Sequence, residues 1–292
     1  MEYGSFLQEF IAGNTGGLIG ITVVYPLDTA KMRLQTYPQY KSAYDVISSM
    51  VKSNGITSIY RGLTSPALGF GLTFAVSFSA YGFGCRTIAE LRNKPRTSLS
   101  YSDLFLAGAF TGIVQTPVRQ VVERIKGVMQ VRESNGGKSP YKWSGSCFIE
   151  LVKKEGWRNG LFQGMSSVFL REVPQFAIYY PAYAYFRELY SEKMSNPMLA
   201  QFLAGGTAGT IQWLPPIYCF DVIKSRMQTA PQGTYKNIKE CALKMYKEEG
   251  AQVFFRGLSP ALLRAFPLHA IIFVSYEIVM GYLKGRTVQI SA

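Results

Sequence analysis

The stretch Pro26-Leu-Asp28-Thr-Ala-Lys31-Met-Arg33-Leu-Gln35 decides the fold, because its skeleton returns twice. An acid, a lysine three residues on and a glutamine four residues after that recur as Glu123, Lys126 and Gln130, and again as Asp221, Lys224 and Gln228. The step is 95 residues from Asp28 to Glu123 and 98 from Glu123 to Asp221, a period that marks internal repetition. Downstream of each copy comes a second element: Asn54-Gly55 then Tyr60-Arg61-Gly62, Glu155-Gly156 then Phe162-Gln163-Gly164, and Glu249-Gly250 then Phe255-Arg256-Gly257. The chain therefore reads as one unit over 1–292 made of three repeats, 1–95, 96–193 and 194–292.

Outward from these motifs lie uncharged runs. Phe10–Leu27, Gly62–Cys85 and Met194–Phe220 contain no charged residue, and Leu104–Val118, Val173–Phe186 and Ala265–Tyr276 are shorter apolar stretches. Each is extendable to about 20 residues of helix, the length that crosses a bilayer. Every repeat then reads as span, amphipathic loop helix, span. In the third loop Ile238, Ala242, Met245 and Tyr246 recur at helical spacing among Lys and Glu, which suits a helix lying on a membrane surface. Tyr44–Lys52 and Cys147–Lys154 are the matching segments. The fold expected is all-α: six transmembrane helices in three pseudo-repeats with three short amphipathic helices.

Composition agrees. With 48% hydrophobic and 17% charged residues the chain is neither disordered nor an ordinary soluble domain. A mean hydropathy of +0.06 fits apolar spans alternating with basic loops, which supply the net charge of +13. Four cysteines without CxxC spacing and a single histidine exclude a disulfide scaffold and a His-based metal site. The first residues, MEYGSFLQEF, lack the basic region and cleavage site of a signal peptide, so Phe10–Leu27 reads as a resident span. No nucleophile–base set or phosphate loop argues for an enzyme, and no cofactor is expected.

An acid and a lysine three apart share a helix face. Ionised groups at membrane depth are costly unless paired or facing water, so three such faces should converge on a common interior. The full pattern, PLDTAKMRLQ from Pro26 followed by Asn54-Gly55 and Tyr60-Arg61-Gly62, resembles the mitochondrial carrier family, whose signature is P-x-[DE]-x-x-[KR]-x-[KR]-x-Q then [DE]-G-x-x-x-x-[YWF]-[KR]-G. The resemblance covers all three repeats. It implies a gate on the matrix side made of Lys31 with Glu123, Lys126 with Asp221 and Lys224 with Asp28, braced by Gln35, Gln130 and Gln228. About 4 kcal/mol of attraction per pair at intermediate dielectric, before desolvation, would hold such a gate without locking it. It further implies an inner-membrane location with both termini facing the intermembrane space.

Departures from the family pattern carry expectations of their own. Val121 and Cys219 stand where the repeat proline belongs, with Pro117, Pro215 and Pro216 about a turn earlier, so kinks in the third and fifth spans should be displaced. Copy two has Val128 where the others have Arg33 and Arg226, and one extra residue between Gly156 and Gly164. Small residues in the odd spans, such as Gly16, Gly20, Gly108, Gly112 and Gly205, suit close helix packing. The family closes its cytoplasmic side with [FY]-[DE]-x-x-[RK] on even spans. Here Tyr81, Tyr183 and Tyr276 remain, but of the charges only Arg187 and Glu277 do. That gate is expected to be weak.

Seven residues beyond the second glycine of each repeat lie Gly69, Arg171 and Arg264. Arginines at such depth face a cavity, and Arg171 with Glu172 offers a fork for a carboxylate beside an anion for an amine. Within the family, these segments resemble the carnitine/acylcarnitine and basic amino acid carriers. Thr73 and Phe74 occupy an uncharged first contact, which favours carnitine and acylcarnitines over a second cationic side chain. His269 joins the candidate substrate set as a neutral cavity residue. Basic loop residues including Lys41, Lys52 and Lys236 accompany no nucleic-acid motif. They suit anionic lipid, and the resemblance implies cardiolipin around Arg61, Gly62, Gly164, Arg256 and Gly257. The leading expectation is an antiporter of a carboxylate-bearing zwitterion. A basic amino acid carrier is the alternative, and a third reading is a carrier fold recruited as an accessory subunit of a larger inner-membrane complex.

Overall fold

A computed structural model describes residues 3–132 and 140–283 of the chain. Its helices are α1 (Tyr3–Thr36), α2 (Ala43–Asn54), α3 (Thr64–Leu91), α4 (Tyr101–Val131), α5 (Ser144–Phe162), α6 (Met165–Lys193), α7 (Pro197–Ile211), α8 (Ile217–Thr229), α9 (Ile238–Glu249) and α10 (Leu258–Leu283). No strand occurs among the described residues. The order is long, short, long, three times over, with the fifth long element divided into α7 and α8.

Helix starts follow local chemistry. Ser42 and Ser100 each accept from the backbone N–H three residues on, while Asp45 and Asp103 reach back to the serine N–H, giving capping boxes at α2 and α4. Asn196 caps α7 with Pro197 in its first turn. At 34 residues α1 is about 50 Å long, ample for a hydrocarbon core of about 30 Å.

The long helices form a ring. α3 packs along α4, α4 along α6, α6 along α7, α7 on α10 and α10 on α1, while α1 meets α3 more sparsely and closes the circle. Glycines set the close approaches. A Cβ on Gly112 would lie 2.7 Å from the Glu172 carbonyl, one on Gly16 would lie 2.8 Å from that of Ile272, and one on Gly108 would strike the carbonyl of Phe176.

Polarity is inverted relative to a soluble bundle. Gln115, Gln120, Arg124, Arg171 and Glu172 are buried, whereas Leu68, Leu72, Phe105, Leu106 and Leu263 are exposed. By length and composition alone, only the stretch Ile56–Leu91 passes as a span among the described residues. In α1, α4, α6 and α8 charged residues such as Asp28, Arg124, Arg171 and Asp221 are buried, a direction that an average over the sequence cannot see.

The three short helices pack alike under one end of the ring. Val46 and Met50 of α2 sit on Ala30 and Leu34; Cys147 and Leu151 of α5 on Ile125, Val128 and Met129; Cys241 and Met245 of α9 on Val222, Ile223 and Met227. Val128 thus fills a core position. Gly55, Gly156 and Gly250 all take positive φ, and after them copies one and three make five-residue 3-10 turns, Ile56–Tyr60 and Ala251–Phe255. Copy two runs on within α5, its extra residue allowing the longer α-type turn. Of the displaced kinks, the one in the fifth span is a full break over 212–216, while α4 stays one helix with Pro117 inside it.

Candidate substrate cavity and ion-pair gate

The repeated acids and lysines meet where the ring narrows above the short helices. Lys126 Nζ lies 2.6 Å from Asp28, Lys224 Nζ 3.0 Å from Glu123, and Lys31 Nζ 2.8 Å from Asp221. All six charged groups of the expected gate come together, but the sense of pairing is the reverse of Lys31 with Glu123, Lys126 with Asp221 and Lys224 with Asp28. Each acid takes the lysine of the next odd span, and Asp221 closes back on Lys31. Residues three apart stand about 60° apart around a helix, so they flank the inward face. Which flank meets which neighbour depends on the handedness of the ring, which spacing does not contain.

Only one glutamine braces a pair. Gln35 donates to Asp221 at 2.8 Å and to the Tyr218 hydroxyl at 3.0 Å. Gln130 donates instead to Thr29, and Gln228 to Gln120, because in those corners a neutral acceptor on the adjoining odd helix takes the amide. Beneath the pairs runs a second ring. Arg33 Nε donates to the Gln130 carbonyl at 3.0 Å, Arg226 Nε to the Gln35 carbonyl at 2.5 Å, and Arg132 Nη2 to the Ala230 carbonyl at 3.1 Å. Cations thus sit on the open carbonyls at three helix C-termini. Arg132 supplies in copy two the link that Val128 cannot make, and Glu155 ties it to buried Arg124.

The predicted substrate arginines are drawn into this gate. Arg171 Nη1 lies 2.9 Å from Asp221 and Nη2 2.9 Å from Glu123, and Arg264 Nη1 lies 2.9 Å from Asp28. Each of the three acids therefore holds at least one lysine and one arginine, with Arg119 also 3.3 Å from Glu123 and Lys224 3.7 Å from Asp221. Glu172 is fully buried, in contact with Arg171, accepting from Gln115 Nε2 at 2.5 Å and lying 3.5 Å from Arg119 Nε. In this arrangement its carboxylate is satisfied by protein donors rather than offered to an incoming amine. Trp213 lies under Arg264 and Lys31, with Lys31 Nζ 4.0 Å from its ring centroid. Asp28, Glu123, Lys31, Arg119, Arg171, Arg264 and Trp213 line a cavity of 90 Å³.

Above it the walls turn aromatic. Ser77 and Tyr81 of α3 reach Gln115 of α4 and Tyr180 of α6, marking the inner face of the helix. Phe74 lies on that face by spacing and is nevertheless 46% exposed, so it borders open interior space. Phe70, Phe74 and Phe78 form a ladder along it. Thr73 is buried, its hydroxyl returned to the Gly69 carbonyl. On α6, Phe176, Tyr179, Tyr180 and Tyr183 make one connected cluster.

At the opposite end of the ring, stacked aromatic rings stand among the described contacts. Tyr81 stacks on Tyr180 with centroids 3.6 Å apart, and Tyr183 stacks on Tyr179, not on Tyr81 or Tyr276. Arg187 is exposed and makes no ion pair among the described residues. The side chains of His269 and Glu277 lie outside the described residues. At the turns, Gly62, Gly164 and Gly257 have φ of 83°, 77° and 78° and abut the C-terminal turn of an adjoining odd span. Tyr25, Gln120 and Tyr218 donate to the carbonyl just before each glycine, at 2.9, 3.0 and 2.8 Å. Arg256 is bound to Glu249 and to the Pro38 carbonyl.

Sequence reasoning missed Arg119, Gln115, Gln120, Arg132 and Trp213, none of which is part of the acid–lysine–glutamine skeleton. Gln120 was legible in principle, since it stands three residues before Glu123 as Tyr25 and Tyr218 stand before their acids.

The family model for mitochondrial carrier protein matches residues 3–90, 97–194 and 195–287. The human mitochondrial carnitine/acylcarnitine carrier protein is 33% identical over 300 residues, covering 96% of each chain. The rat mitochondrial basic amino acids transporter is 34% identical, covering 97% of this chain and 92% of its own. Mitochondrial magnesium exporter 1 of Drosophila melanogaster is 34% identical over 96% of this chain and 95% of its own. With three matched segments spanning nearly its whole length, the chain belongs to the mitochondrial carrier protein family, whose members are transporters and not enzymes.

Proposed function

We propose that the chain exchanges a carboxylate-bearing zwitterion, carnitine and its acyl esters, across the inner mitochondrial membrane by alternating access. The observation that carries this reading is the floor of the cavity, where Arg171 spans Glu123 and Asp221 and Arg264 holds Asp28 beneath an aromatic wall. A substrate carboxylate competes with Asp28, Glu123 and Asp221 for those two guanidinium forks. Withdrawing the two arginines removes one cation from each acid, which lowers the cost of opening. A quaternary ammonium rests against tyrosine and phenylalanine faces, which attract a weakly hydrated cation. Phe70, Phe74 and Phe78 offer an apolar track for an acyl chain.

In this reading both termini face the intermembrane space and α2, α5 and α9 lie at the matrix surface, their basic turns meeting cardiolipin. The saturated Glu172 disfavours the basic amino acid alternative, which needs an acid for a second ammonium. Counter-exchange in liposomes tests the proposal: the purified chain should exchange carnitine. Failure with carnitine together with exchange of lysine or arginine moves the substrate to basic amino acids. Absence of all exchange, with migration as part of a large complex on native gels, makes the chain an accessory subunit.

A further inference from the structure

The cavity holds a third arginine that no repeat supplies. Arg119 sits on α4 one turn before Glu123 and lines the same space as Arg171 and Arg264. Six cations meet there, Lys31, Lys126, Lys224, Arg119, Arg171 and Arg264, against the four carboxylates of Asp28, Glu123, Glu172 and Asp221. The cations are not equally committed. The three lysines and the other two arginines each reach an acid at 2.6–3.0 Å, and their side chains are between 2% and 18% exposed. Arg119 is 34% exposed and touches Glu123 at 3.3 Å and Glu172 at 3.5 Å, both through Nε. Its two terminal nitrogens donate to none of the described residues.

A guanidinium that spends its Nε on the wall and keeps Nη1 and Nη2 toward open space presents the edge that takes a carboxylate in bidentate fashion. The geometry points to Arg119 as the docking residue that first receives a substrate carboxylate, before Arg171 and Arg264 leave the gate acids. The inference rests on the reading of the chain as a carrier of carboxylate-bearing solutes. It adds a specificity element on an odd helix. Gln115, itself held by Ser77, donates to Glu172 from the other side, so Arg119 is the least committed partner of that carboxylate.

The test measures KM and kcat for carnitine exchange, and the inhibition constant of choline, which keeps the quaternary ammonium and lacks the carboxylate. Arg119→Gln should raise KM for carnitine about tenfold or more, with kcat within about twofold and the choline constant unchanged. Arg119→Lys keeps the charge without the fork and should fall between. An unchanged KM overturns the inference. So does a loss of kcat at constant KM, or an equal rise for carnitine and choline, since Arg119 would then only neutralise Glu123 and Glu172. If the wild type exchanges lysine but not carnitine, the substrate assignment fails. Lysine with cadaverine as competitor then reads Arg119 in the same way. If neither carnitine nor lysine shifts the thermal midpoint of the wild-type protein, both the inference and the reading beneath it are overturned.

Discussion

The two ends of the bundle are closed by different chemistry. Above α2, α5 and α9, three lysine–acid pairs, Arg171 across Glu123 and Asp221, and a ring of arginines on helix C-termini tie every odd span to the next. At the other end, stacked tyrosines join α3 to α6, and the polar contacts described there, the Arg92–Asp103 ion pair and the hydrogen bond from Tyr101 to Glu188, lie near helix ends. Ion pairs are strong only while every partner is present, because a buried charge left alone is costly. Stacked rings lose less when one is removed, and they slide without stranding a charge. The contrast teaches that this carrier keeps one end cooperative and the other graded.

The sharpest way to break the contrast is at Glu123, which faces Lys224, Arg171 and Arg119 at once. Glu123→Ala should cost about 3–5 kcal/mol in thermal unfolding in detergent and abolish exchange. Next comes Arg132→Ala, which removes both the link to α8 and a partner of Glu155; a loss of about 1.5–3 kcal/mol is expected by the same measurement. Gly112→Leu forces a side chain against the backbone of α6 at Glu172 and Val173 and should cost about 1–3 kcal/mol in the same measurement. Tyr180→Leu at the aromatic end should cost only about 0.5–1.5 kcal/mol beyond the lost area and leave exchange measurable. The smallest effect concerns the short helices. Burial pushes the thiols of Cys147 and Cys241 up to about 12, so both stay protonated at neutral pH. Maleimide labelling of the folded protein at pH 7 should leave both unmodified.

What was legible in the sequence was what repeats. The acid–lysine skeleton located the ion-pair cluster, the glycine spacing located the close approaches, and the amphipathic loops located α2, α5 and α9. The break over 212–216 hid inside an uncharged run because length cannot distinguish a straight span from two joined segments. The direction of pairing was hidden because handedness belongs to the ring and not to any one helix. Arg132 escaped notice because its role is defined by Val128, an absence that reads as a defect until the structure shows another residue reaching the same kind of carbonyl. Arg119 and Trp213 stood outside the pattern, and only convergence in space gives them a role.

A double-mutant cycle on thermal unfolding tests the gate most directly. Lys126→Gln combined with Asp28→Asn should show a coupling of about 0.5–3 kcal/mol, whereas Lys126→Gln combined with Asp221→Asn should be additive within about 0.5 kcal/mol. Coupling of Lys126 to Asp221, with additivity between Lys126 and Asp28, would contradict the account.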